Sequence, residues 1–181
     1  MASLQLTRPS AELEQEFLAL VAEVAAAREV VNYGCLHATA EKFIAAGRDF
    51  AAFRQRLLKE EQQEHQPAGL VPQTTFWLVR NSATIVGESR LRHYLNDHLE
   101  LEGGHIGYAI RPSERHKGHG TLILQLSLAK AREIGLSRVL LTCDKHNLAS
   151  ARIIQKNGGE LTSEGVSPRD GNLIQRYRIE L

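Results

Sequence analysis

Leu13, Phe17, Leu20, Val21 and Val24 recur at three- and four-residue intervals, the spacing that lines one face of a helix with apolar side chains. Ser10 stands where an N-cap would, and Glu12 and Glu14 fall in the first turn, where the helix dipole favours acids. Ahead of this helix Leu4 and Leu6 alternate with polar residues, a short strand that Pro9 ends. Phe50, Phe53, Leu57 and Leu58 mark the face of a second helix, and the polar run 66–73, with two prolines and a glycine, reads as a loop. From Thr74 the period becomes that of strands. Thr75, Phe76, Trp77, Leu78 and Val79 are β-branched or aromatic for the most part, Asn81-Ser82 turns the chain, and 83–92 returns as the hairpin partner. A third strand, 105–110, follows Gly103-Gly104 and ends at Pro112, which keeps Arg111 extended. Residues 118–134 form a helix with Leu122, Ile123, Leu126 and Ala129 inward and Gly135 just past its end. Val139, Leu140 and Leu141 are a short buried strand. Asn147 caps a helix that Gly158-Gly159 stops, and 173–179 alternates as a last strand after an Asp170-Gly171 turn.

This order predicts an α/β fold: one domain holding a mixed sheet, with a strand and helices in 1–73 and the sheet core in 74–181. A chain of 181 residues, 43% hydrophobic and 24% charged, fits a single domain that needs no disulfide or metal staple. A formal net charge of +1 supplies no broad field for nucleic acid or an anionic membrane, so neither is expected as a partner. Cys35 and Cys143 form no CxxC pair, which argues against a zinc ribbon and suits a reducing compartment. No apolar run reaches the roughly 18 residues of a membrane span. The first ten residues lack the basic stretch and apolar core of a secretory signal. A cytoplasmic location is the expectation. The eight histidines include no HExxH, and His93 and His98 stand five apart near a strand, so no catalytic metal is expected.

The run from Ile110 through Arg111, Pro112, Ser113, Glu114, Arg115, His116, Lys117, Gly118, His119 and Gly120 to Thr121 joins a strand to a helix with two glycines one residue apart. Glycine permits positive φ and close ligand approach. Such a turn aims several N–H groups at one point beside the positive end of the helix dipole. Charge-assisted hydrogen bonds contribute about 1.5–3 kcal/mol each and the dipole about 0.3–1 kcal/mol, so the amides dominate. Arg115 and Lys117, with His116 and His119 when protonated, add positive charge. A diphosphate suits this site; the alternative, which a lone GxG favours, is a strand-to-helix turn whose glycines only relieve strain. GxGxxG fails because the third position is Ile123, and GxxxxGK[ST] fails because Lys117 precedes its glycine.

Arg115, Gly118 and Gly120 resemble the R/Q-x-x-G-x-G/A turn of the GNAT superfamily of N-acetyltransferases. Gly107-Tyr108-Ala109-Ile110 is similar to that family's central strand, Leu140-Leu141-Thr142-Cys143 to its neighbour, and Asn147-Leu148-Ala149-Ser150 to its asparagine-led helix start. The resemblance is close over 104–160. It implies a largely antiparallel sheet flanked by helices, with a splayed parallel central strand pair that admits the pantetheine arm of acetyl-coenzyme A (acetyl-CoA). It also implies that the backbone of Ile110 and Arg111 meets the acetyl end, and that Arg115 and the N–H groups of His116, Lys117, Gly118, His119, Gly120 and Thr121 hold the pyrophosphate. Asn147, with Ser150 beside it, would bond the pantetheine or serve as a helix cap. Gly120→Trp is then expected to abolish CoA binding with the fold largely intact. Homodimers are common among relatives of this fold.

Many family members carry a tyrosine seven residues after the asparagine as proton donor to the departing thiolate; here that position is Ile154. Tyr108 and Cys143 are the substitutes in reach, though a core tyrosine and a buried cysteine fit as well. His105 and Glu102, close to the start of the central strand, are candidate bases, with a structural histidine the alternative; Glu88 and Glu100 are further acids that would act as base or substrate anchor. Trp77, Arg90, Arg92, Tyr94 and residues 96–102 would border the acceptor pocket. The activity implied is acetyl-CoA-dependent N-acetyl transfer to a small-molecule or protein amine by direct transfer in a ternary complex. The alternative is a CoA-binding sensor without turnover, which Ile154 favours.

Overall fold

The structure, a computed structural model, describes residues 3–27, 35–62 and 69–181. The loop expected over 66–73 lies partly outside them. Strand β1 (Leu4–Thr7) leads through a 3-10 turn into helix α1 (Glu14–Ala26), followed by α2 (Cys35–Ala45) and α3 (Phe50–Lys59). Strands β2 (Gln73–Arg80) and β3 (Thr84–Arg92), the short helix α4 (Asp97–Leu101) and strand β4 (Ile106–Ile110) come next. The chain ends with α5 (His119–Glu133), β5 (Arg138–Asp144), α6 (Leu148–Lys156), β6 (Glu160–Val166) and β7 (Leu173–Glu180). The strands form a four-stranded sheet in the order β1-β2-β3-β4 and a three-stranded sheet in the order β5-β7-β6. All their pairings are antiparallel. No helix among the described residues is long and apolar enough to cross a membrane.

Two cores sandwich the first sheet. On one face α1, α2 and α3 enclose an aromatic cluster centred on Phe17, whose ring lies 5.0 Å from Phe43, 5.2 Å from Phe53 and 5.3 Å from both Phe50 and Trp77. Rings at these separations add packing energy to a large apolar burial. Trp77 is fully buried in this stack and does not border an acceptor pocket. On the other face α5 buries Ile123, Leu124, Ser127, Leu128 and Ala131. The stripe is rotated from the expected one: Ala129 is exposed and Leu122 and Leu126 are half-buried. A purely apolar reading skips Ser127, which is buried because its hydroxyl donates to Ile123 O at 2.7 Å and pairs with Ser89 Oγ at 2.7 Å. Helix α2 was not expected. Its buried face, Leu36, Thr39, Ala40 and Phe43, mixes small and polar residues and carries little apolar signal. Ser10 is extended at the N-cap position but makes no side-chain capping bond.

The two sheets meet where β4 begins. His105 N–H donates to Leu140 O at 2.7 Å, and Leu140 N–H donates back to His105 Nδ1 at 2.9 Å. Gly104 makes this approach possible: its φ is +62°, and a Cβ there would lie 2.4 Å from Leu140 O. Gly103 N–H reaches Thr142 Oγ1 at 2.9 Å, and Arg92 Nη1 holds the carbonyls of Gly103 and Gly104 at 3.2 and 2.8 Å. Beyond this pin no ladder joins β4 to β5. Arg92 N–H bonds His105 O and Arg111 N–H bonds Val86 O, so the odd-numbered residues of β4 face β3. The even-numbered Ile106, Tyr108 and Ile110 therefore turn their N–H and C=O groups toward the gap. A pinned start and an open end make the splay.

Candidate functional site

The splay opens beside the turn that leads into α5. Among the described residues, the amides of His116, Lys117, Gly118, His119 and Gly120 have no hydrogen-bond acceptor, and no side chain caps the helix start. His116 and Gly118 have φ values of 61° and 81°, left-handed conformations that turn successive N–H groups into a concave anion nest. A Cβ built on Gly118 meets nothing within 4 Å, so the chain is uncrowded at that position of the turn. The arrangement fits a linked pair of phosphates. Thr121 falls outside the cradle because its amide bonds Gly118 O at 3.2 Å. Gly120 packs on α6, where its Cβ would lie 2.6 Å from Ile153 Cδ1. A tryptophan there would press on Ile153 of α6 as well as block the nest, so Gly120→Trp disturbs the packing of α5 on α6 and does not leave the fold intact.

The side chains of the turn are organised by a residue that the sequence reading passed over. Buried Glu114 accepts from Arg80 Nη1 and Nη2 at 2.9 and 3.0 Å and from Lys117 Nζ at 3.3 Å, with His119 Nε2 at 3.4 Å. Lys117 Nζ also donates to Ser113 O at 2.9 Å, and Arg115 Nε caps Ile110 O at 3.2 Å. These cations brace the loop from behind. The hydrogen bonds from Arg80, ahead of those from Lys117, hold the Glu114 carboxyl at about 2. A carboxyl depressed in the fold stabilises it above its unfolded pKa of about 4.3, and the contribution disappears as pH falls toward 2. Glu114→Gln should therefore cost about 1–3 kcal/mol near neutral pH. In urea melts, its gap from the parent should stay constant above about pH 5 and close between about pH 4.5 and 2. A gap that persists at pH 2 would show that the charge is not the cause.

Inside the splay, Tyr108 OH from β4 reaches across to Ser150 Oγ at the start of α6, 3.2 Å away, with Cys143 of β5 beside them. Burial raises the Tyr108 phenol to about 12 and the Cys143 thiol to about 11, so both stay protonated at neutral pH. Protonated, neither is a nucleophile at neutral pH. Asn147 caps α6 by accepting from Ser150 N–H at 3.0 Å through Oδ1, and its amide nitrogen has no partner among the described residues. Capping and ligand bonding are thus compatible. Ile154 is buried in the core and offers no proton.

Three expected roles do not survive the geometry. The Nδ1 lone pair of His105 is engaged by Leu140 N–H, which leaves the proton of the neutral ring on Nε2, and burial lowers the ring's pKa. Its task is to pin the splay, and taking up a proton would break the pin. Glu102 is buried at the sheet junction, where it accepts from Ser167 Oγ at 2.5 Å and pairs with Arg169 at 2.7 Å, tying down the loop between β6 and β7. Arg111 has its N–H on Val86 O and its C=O on Glu114 N–H, while its side chain pairs with Glu16 and Glu23 of α1. The main chain facing the gap belongs to Ile110 and Tyr108 instead. The cluster of Cys35 and Thr39 under Arg90, brought by α2, was missed altogether; the spacing of Leu36, Ala40 and Phe43 was the signal for it.

A family model described as the acetyltransferase (GNAT) domain matches residues 6–160. The chain belongs to the GNAT acetyltransferase family. The mycothiol acetyltransferase of Thermobispora bispora is 34% identical over 109 residues, covering 56% of this chain and 34% of that protein. The chain thus spans only a third of the length of that curated relative. Among solved structures, the microcin C7 self immunity acetyltransferase in complex with acetyl-CoA and AMP has a TM-score of 0.68 at 14% identity, covering 98% of this chain and 92% of that one. An acetyl transferase from Salmonella typhimurium that modifies the N-terminal serine of the 50S ribosomal subunit protein L7/L12 has a TM-score of 0.64 at 14% identity, covering 99% and 95%. These neighbours establish the mixed α/β GNAT fold of this chain.

Proposed function

We propose that the protein is an N-acetyltransferase that moves the acetyl group of acetyl-CoA directly to a primary amine while both substrates are bound. The observation that carries this reading is the row of amides from His116 to Gly120 that are unengaged among the described residues, in a turn uncrowded at Gly118. These amides would hold the pyrophosphate, the free amide nitrogen of Asn147 would bond the pantetheine arm, and the N–H of Ile110 or Tyr108 would polarise the thioester carbonyl. When bound, acetyl-CoA would supply a thioester whose carbonyl carbon the amine attacks: a C–N bond forms, the C–S bond breaks and the amine's proton passes to solvent water. Tyr108, through Ser150, supplies a proton to the departing sulfur. Direct transfer is favoured over a cysteine-linked acetyl group because Cys143, raised to about 11 by burial, carries almost no thiolate at neutral pH.

With His105 and Glu102 engaged elsewhere, no side chain is assigned as base. An α-amine, with a pKa near 8, suits such a site better than a lysine-like amine near 10.4. Thiol release from acetyl-CoA, followed across a panel of primary amines with mass detection of the acetamide, tests the proposal. Amine-dependent release is expected, rising with pH through the amine's own ionisation. CoA binding with no release from any amine would favour a sensor module, which membership of an acetyltransferase family does not favour.

A further inference from the structure

Arg90 and Arg92 stand two residues apart on β3 and project from the same face, the one that α2 covers. Their Cα atoms are about 7 Å apart. Arg90 is buried and well anchored: Nε donates to Glu88 Oε1 at 3.1 Å, and Nη2 donates to Thr39 Oγ1 and to Cys35 O at 3.5 Å. Glu88 thereby balances its charge. Arg92 has no such balance. Its Nη1 holds the carbonyls of Gly103 and Gly104, and among the described residues Nε and Nη2 have no partner and no carboxylate pairs with it. Burial, reinforced by the neighbouring Arg90 cation, works against the Arg92 charge. A largely buried guanidinium with one unengaged edge and no carboxylate on it is stabilised by a bidentate oxyanion. A latch for two carbonyls alone needs only one of its three nitrogens.

The position is apt. Arg92 lies opposite His105, at the pinned start of β4, and Tyr108 stands three residues along that strand, about 10 Å away. Gly107, opposite Arg90, has no side chain, and Cys35 Sγ packs 2.9 Å from where its Cβ would be. Side chains alternate along β4, so the arginine face is the one turned away from Tyr108 and the α5 core. An acceptor arriving on this face would meet the arginines with one end while its other end approaches the open edge of β4.

Building on the acetyl-transfer reading above, we propose that the acetyl acceptor is a small amine that also carries a carboxylate or phosphate group, bound by Arg92 with Arg90 beside it. The test uses the full chain saturated with CoA, so that the pyrophosphate nest is filled, and titrates inorganic phosphate and, separately, succinate by calorimetry. Saturable binding in the millimolar range is expected for at least one of them, and which one binds separates a phosphate from a carboxylate acceptor. Arg92→Gln, likewise saturated with CoA, should weaken it about tenfold or more. Because Arg92→Gln also frees the Gly103 and Gly104 carbonyls, its melting is followed alongside. Arg92→Lys, which keeps the charge but not the fork, gives the second reading and should bind the anion at least about threefold more weakly. No saturable binding to the CoA-loaded parent, or unchanged binding in the folded variants, overturns the proposal. Failure to bind CoA at all would refute the acetyl-transfer reading itself, a different outcome from CoA binding without anion binding.

Discussion

Gly118→Glu is expected to weaken CoA binding by about 100-fold or more while the protein remains folded. Gly118 faces open space and holds a φ of +81°, so a side chain placed there projects to where the anion belongs. The left-handed backbone costs a non-glycine residue about 1–2 kcal/mol, tolerable for a domain of this size. Loss of one or two charge-assisted hydrogen bonds, at about 1.5–3 kcal/mol each, accounts for the hundredfold before any repulsion between carboxylate and phosphate is counted. Gly118→Ala separates the causes. It carries the same strain with little bulk and no charge, so its affinity should fall much less. Calorimetric titration with CoA reads both variants. Equal losses would assign the effect to backbone strain, and no loss in Gly118→Glu would remove the turn from the binding site.

Tyr108→Phe should lower kcat about 100-fold or more and leave the CoA dissociation constant within about twofold of the parent. The phenol crosses the splay to within 3.2 Å of Ser150 Oγ, and burial keeps it protonated up to about 12. Proton donation to a leaving group acts in the transition state, so its loss appears in kcat rather than in binding. Ser150→Ala should produce a comparable fall, because the proton reaches the sulfur through its hydroxyl. A thiol leaving group of lower pKa needs less protonation. Acetyl donors with such thiols should recover much of the Tyr108→Phe defect. A defect of equal size with every donor would assign Tyr108 to packing alone.

The turn was legible because its chemistry is local: strand, two glycines one residue apart, then helix, all within a dozen residues. The hairpin at Asn81-Ser82 and the helix stop at Gly158-Gly159 were legible for the same reason. Roles that depend on residues far apart in sequence were not. His105 read as a base because nothing in the chain announces that Leu140 N–H will meet its Nδ1, thirty-five residues on. Glu102 likewise meets Ser167 sixty-five residues later. Glu114 sits in the middle of the motif, yet its partner Arg80 lies on another strand, so its bracing role was invisible. Helix α2 was lost because Thr39 and Ala40 replace large apolar side chains on its buried face, and the surroundings of Arg90 were lost with it. Short-range turn geometry survives translation from sequence to fold. Electrostatic networks require the fold.

The central claim is that the amides from His116 to Gly120 converge on two linked phosphates. Amide proton and nitrogen resonances, followed by NMR during titration with inorganic pyrophosphate and then with CoA, test it most directly. These five resonances are expected to move together, downfield and saturably, with both ligands, while those of Thr121 and Leu122, already bonded to Gly118 O, move less. Resonances that stay in place at 116–120 while CoA binds elsewhere on the protein would contradict it.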